Sequence, residues 1–284
     1  MADWNKLGTS GNVEDRRGAR PLLIGGGGLG VAVVVLTLLF NVLTGSPTDL
    51  GSTLNQLQQS QAPQTTGQTS QFEGLDSYEK FTSTVLGSTN ETWRTIFSQS
   101  GQTYTEPKLV LFRNSTSSGC GSASSDVGPH YCPADSTIYL DETFFDELTK
   151  RFGAQGGDVT EAYVIAHEVG HHVQNELGTM DEVEGTLRSS SPEANGISIK
   201  LELQADCFAG VWAHSVSSMG VFGQGEINEA IDAAAAVGDD RVQKSIQGRI
   251  SPESWTHGSS EQRVEWFNRG YTSGRASDCN TFRT

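Results

Sequence analysis

Basic residues are scarce in this chain: 19 Lys and Arg stand against 34 Asp and Glu, a formal charge of −15. Nucleic acid and anionic membrane surfaces both demand basic patches, so neither is an expected partner. Cysteine is scarce too. Its four copies, Cys120, Cys132, Cys207 and Cys279, form no C-x-x-C or C-x-x-H pair, which excludes a cysteine-based zinc site of ordinary spacing. No internal repeat is evident. Between Arg20 and Lys80 there is no Lys or Arg at all, and this gap contains the long apolar run.

That run, Leu22 to Thr44, is 23 residues without a charge. About 20 apolar residues cross a bilayer as a helix. A cleavable signal would have an apolar region of about 7–15 residues ending in a small-residue site, and neither feature is present. The expectation is one uncleaved transmembrane helix over residues 22–44. Lys6, Arg16, Arg17 and Arg20 precede it, so the positive-inside rule puts residues 1–21 in the cytoplasm and the bulk of the chain outside the cell membrane. An extracytoplasmic compartment permits disulfides, and four cysteines suit two. Cys120 with Cys132 and Cys207 with Cys279 is the preferred pairing, because the first couple brackets one Gly/Ser-rich loop. Residues 45–74 hold seven Gln and two Pro and read as a flexible tether. Residues 75–284 remain as the folded domain, long enough for a substantial core.

Within that domain the periodicity predicts helical pieces around Tyr78–Leu86 and Trp93–Phe97, interrupted at Gly87. Strands are expected at Lys108–Phe112 and Ser136–Leu140, the second ending at Asp141 as a helix N-cap. Helices follow at about 142–151, 159–177, 197–218, 225–237 and 260–271. Ser259 and Gln262 have capping-box spacing for the last. A few strands followed by several helices indicates an α+β domain.

The chemistry lies in Ala162-Tyr-Val-Ile-Ala-His-Glu-Val-Gly-His-His-Val-Gln174, which contains H-E-x-x-H at His167, Glu168 and His171. At i and i+4 the two imidazoles lie one turn apart on one helical face and can share a single Zn2+ ion. Glu168, one residue on, is placed to take a proton from a water activated there. A third protein ligand is needed. Glu202 and Asp206 stand four apart in an otherwise apolar helix, so Glu202 is the candidate ligand and Asp206 the acceptor that orients a ligand histidine. His172 points about 100° away from His171 and reads as a core histidine, and His130 and His214 lack partner spacing. His257, on a Gly/Ser turn before a capped helix, is the candidate for stabilising an oxyanion.

The chain resembles the predicted neutral zinc metallopeptidase family of membrane-anchored bacterial proteins. The matching stretches are Lys108–Phe112, Gly128–Asp135, Ile138–Asp141, Phe144–Glu147, Ala162–Gln174, Glu202–Trp212 and Thr256–Arg263. The resemblance implies a zincin-like α+β peptidase with Glu202 as third ligand, acting on a peptide or protein substrate. It also implies that Ser136–Leu140 is an edge strand pairing with extended substrate. Two other readings compete: a non-catalytic zinc-bearing module tethered to the envelope, and a metal-dependent amidase on a non-peptide substrate. Oligomeric state is not legible.

Overall fold

The computed structural model describes residues 2–17, 70–71, 76–124, 128–187, 192–223 and 225–282. The expected span at 22–44 lies outside them, as does nearly all of 45–74. Among the described residues no helix is long and apolar enough to cross a membrane. The chain divides into two compact units, Met1–Gly18 with Ser70–Thr284 and Ala19–Thr69, and the first carries the fold described below.

Its spine is a five-stranded sheet of order β2-β1-β3-β7-β6. Here β1 is Val13–Asp15, β2 is Ser70–Gln71, β3 is Lys108–Phe112, β6 is His130–Cys132 and β7 is Thr137–Asp141. Strands β1, β3 and β7 run parallel, and β2 and β6 pair antiparallel at the two ends. The central pair is covered on both faces, so it reads as an unbroken apolar run. Leu109, Leu111, Ile138 and Leu140 face the helices, while Val110, Phe112 and Tyr139 pack with Ala123 and Cys132 on the other side. Each fully buried Leu or Ile contributes about 1.5–3 kcal/mol. A separate hairpin, β4 (Ser115–Ser118) with β5 (Gly121–Ser124), carries Cys120 to its bridge with Cys132.

The strand expected at an edge is interior. After β6 the chain reverses through Ser136, at φ 51°, and β7 pairs with β6 on one side and β3 on the other. Among the described residues the edge on this side is β6.

Eight helices are described: α1 (Ser77–Gln99), α2 (Phe144–Lys150), α3 (Asp158–Glu176), α4 (Thr179–Leu187), α5 (Pro192–Ser218), α6 (Ile227–Ala236), α7 (Asp239–Gln247) and α8 (Ser260–Ser273). The α+β class follows directly. α1 is continuous where a break at Gly87 was expected. Glycine is there for close approach: a Cβ would lie 2.7 Å from the Gly8 carbonyl oxygen. Asp141 accepts the Thr143 N–H and hydroxyl, so the turn it makes precedes α2, whose N-cap position is Thr143. The capping box at Ser259 and Gln262 is formed. α4 and α7 were not anticipated from the sequence; both are nine residues long, and α4 buries no residue while α7 buries only Asp239.

Residues 2–17, read from the sequence as a segment across a membrane from the domain, lie in the same unit as residues 70–282. β1 sits inside the sheet, and Trp4 packs edge-on against Phe81 and Phe222. Ser10 exchanges hydrogen bonds with Ser83 of α1, the Ser10 N–H donating at 2.9 Å and the Ser83 hydroxyl at 2.6 Å. Arg17 is almost buried and is bonded to Asp15, Asp76 and Glu142. Two of the four bases that suggested a cytoplasmic flank are thus ion-paired inside the fold, since Arg16 also pairs with Glu14.

Candidate metal centre

Helix α3 is buried on nearly every side, and its Val159, Ala162, Ile165, Ala166 and Val169 drive it into the centre of the unit. It crosses α5 at Gly170, where a Cβ would stand 2.9 Å from the Ala205 carbonyl oxygen. A side chain there would push the helices apart. The contact brings the His167–His171 turn of α3 against the Glu202–Asp206 turn of α5.

His167, His171 and Glu202 converge, with one donor atom from each lying within 4.8 Å of the others. His167 Nε2 is 3.2 Å from Glu202 Oε2, and His171 Nε2 is 3.4 Å from Glu202 Oε1. The outer nitrogens are already engaged. His167 Nδ1 lies 2.9 Å from Asp206 Oδ1, and His171 Nδ1 lies 2.9 Å from Gln174 Oε1. Each Nδ1 therefore carries the proton, which leaves the Nε2 lone pairs of neutral imidazoles facing a carboxylate. Lone pairs facing an anion repel unless a cation sits between them. Two donors each about 2.0–2.2 Å from one zinc at a tetrahedral angle stand about 3.3–3.6 Å apart, close to the separations seen. The residues fit such an ion.

A second proton on each imidazole would satisfy the carboxylate as a cation does, and the pKa values are displaced accordingly. Burial works against a charged His167, but Asp206 and Glu202 override it and push its pKa up to about 10. His171 is raised in the same way, Glu202 outweighing burial. Burial would raise Glu202, yet the two imidazoles hold it well below the usual carboxylate range.

Asp206 is fully buried and serves more than His167. It accepts Arg263 Nε at 2.7 Å, Arg263 Nη2 at 2.9 Å and the Tyr163 hydroxyl at 2.5 Å. Burial would raise this carboxyl, and Arg263 with His167 keeps it ionised. Sequence reasoning missed Arg263, although it lies in a stretch that had been singled out. An arginine on a helix start has no spacing relation to residue 206 that a sequence could reveal.

Glu168 is only 6% exposed and follows His167 on the same buried turn, where its charge helps raise His171. His257 lies on the α7–α8 loop, its imidazole half exposed. The next residue, Gly258, abuts Ile199 and Leu203, which flank Glu202 on α5. Asp239 holds this loop in shape. Its Oδ2 accepts the N–H groups of Thr256, His257 and Gly258, and its Oδ1 is 3.2 Å from His257 Nδ1. That bond, partly opposed by burial, raises the His257 pKa. Asp239 was also missed, since α7 was not foreseen. His172 is a core residue: its Nε2 donates to the Thr105 carbonyl and its Nδ1 accepts from Tyr131. Both bridges are present, Cys120–Cys132 and Cys207–Cys279, and the second ties α5 to the C-terminal turn.

Two imidazoles one helical turn apart, aimed at a carboxylate on a crossing helix, define an α+β protein with three donors that could hold one metal ion. The chain belongs to the family described as "Putative neutral zinc metallopeptidase", whose model matches residues 2–282 and so takes in the N-terminal strand. It is 44% identical to the uncharacterized protein YpfJ of Escherichia coli (strain K12), over 98% of each chain. It is 47% identical to the uncharacterized protein Rv2575 of Mycobacterium tuberculosis (strain H37Rv), over 63% of each. No solved structure matches it.

Proposed function

We propose that the protein is a zinc-dependent endopeptidase with His167, His171 and Glu202 as ligands. The observation that carries this reading is the pair of Nε2 lone pairs turned onto Glu202 at 3.2 and 3.4 Å while both Nδ1 atoms are tied behind. Zinc held there would polarise a peptide carbonyl and bring the pKa of a water towards about 7. Glu168 takes that water's proton and returns it to the leaving amine. His257, held by Asp239, donates a hydrogen bond to the developing oxyanion. Asp206 and Arg263 keep His167 in one tautomer and tilt.

The test uses the full chain. The purified protein should contain one zinc and cleave an unfolded protein substrate, with cleavage abolished by a chelator and restored by zinc. Glu168→Gln should retain zinc while losing at least about a hundredfold in turnover. Undiminished turnover in that variant would overturn the role of Glu168. Zinc without any cleavage would favour a binding module, and cleavage of simple amides alone would favour an amidase.

We place the metal-bearing unit outside the cytoplasm. Its two disulfides support that compartment. Because β1 belongs to the sheet of this unit, residues 2–17 share its side of the membrane, which the single crossing expected at 22–44 with a cytoplasmic N-terminus would not allow.

A further inference from the structure

The two histidines of the centre are oriented by chemically different groups. Behind His167 stands Asp206, an anion neutralised by Arg263. Behind His171 stands the uncharged amide of Gln174, which is fully buried. The polarity of that amide is dictated from outside it. Gln174 Nε2 lies 2.7 Å from the Leu201 carbonyl oxygen, which can only accept. The amide nitrogen must face that carbonyl, so Oε1 faces His171 Nδ1 and forces the proton onto it. A second buried amide repeats the logic. Gln204 Nε2 donates to the Cys279 carbonyl at 3.0 Å, which turns Gln204 Oε1 towards the remaining Gln174 N–H at 3.2 Å. Cys279 is itself bonded to Cys207 of α5.

We propose that Gln174 and Gln204 are positioning residues for the metal centre, acting in series. Two main-chain carbonyls, one from α5 and one from the disulfide-anchored C-terminal turn, set the direction of both amides. The amides in turn hold His171 with its Nε2 lone pair towards the ligand position. Two consequences separate this from simple packing. Gln204 influences the metal without touching it or any ligand. A neutral amide also leaves His171 a weaker electron donor than a carboxylate would, so the bound ion stays more electrophilic. The proposal rests on His171 being a zinc ligand.

The experiment measures zinc affinity of the full chain by competition with a chelating dye, together with the visible absorption of the cobalt(II)-substituted protein. Gln174→Met, similar in volume and without the hydrogen bonds, should bind zinc about 10–100-fold more weakly. Gln204→Met should lose several-fold and shift the cobalt(II) spectrum, although residue 204 contacts no ligand. In the double variant zinc affinity should equal that of Gln174→Met alone, since links in series are lost once. Wild-type protein that binds no zinc would remove the underlying metal reading. Wild-type that binds, with variants binding equally tightly and an unchanged Gln204→Met spectrum, would overturn the relay. Strictly additive losses would reduce both residues to packing.

Discussion

At the residue scale the centre depends on buried charges that satisfy one another. Arg263 and Asp206 are 3% and 0% exposed, so neither can fall back on water when its partner is lost. Arg263→Met should therefore destabilise the fold by about 3–5 kcal/mol in urea unfolding, the cost of leaving a buried charge unpaired. His257 answers to a different partner. Asp239 raises its pKa, and the imidazolium is the form that donates to an oxyanion. Activity should fall as pH rises through that pKa. Asp239→Asn removes the cause, so the alkaline limb of the kcat profile should move to lower pH while zinc content stays unchanged. An unmoved limb would detach His257 from the reaction.

Helix α3 shows how an element can carry function against its own interest. Its first turn holds Asp158 and Glu161, where acids suit the helix dipole, and Asp158 accepts Trp4 Nε1 at 2.7 Å. Glu161 is less comfortable. Burial, with Asp158 and Glu142 nearby, raises its pKa to about 7. The folded state then keeps the proton while the unfolded chain has lost it, so this group removes stability as pH rises from about 4.5 to about 7. Glu161→Gln should melt higher than wild type at pH 8, with the gap closing near pH 5. Thermal melts across that range are the check.

Across the whole molecule, the N-terminal segment matters most. Glu14 pairs with Gln71 on β2 and with Val110 on β3, so the chain leaves the sheet after Asp15 and returns at Ser70 on a neighbouring strand. Residues 2–17 and the metal centre must then face one compartment. Cysteines introduced at the exposed positions Asn5 and Ser100 should both react with a membrane-impermeant maleimide in intact cells, or both be protected. Labelling at Ser100 alone would separate the N-terminal strand from the domain in the cell.

Sequence alone determined the elements whose signal is local. The i, i+4 histidines with Glu168 between them, the second acidic pair at Glu202 and Asp206, the strands read at 108–112 and 136–140 and the long helices α3 and α5 announce themselves through spacing. Tertiary structure decided whatever depends on distant residues meeting. Gly170 fits its helix against Ala205, Arg263 reaches Asp206 across 57 positions, and Gln204 reaches Cys279 across 75. The basic pair Arg16-Arg17 is the sharpest case. As sequence it marks a cytoplasmic flank, because only its sign and its nearness to an apolar run are visible. In the fold it meets Glu14, Asp15, Asp76 and Glu142, and a charge already paired within a fold no longer reports which side of a membrane it lies on.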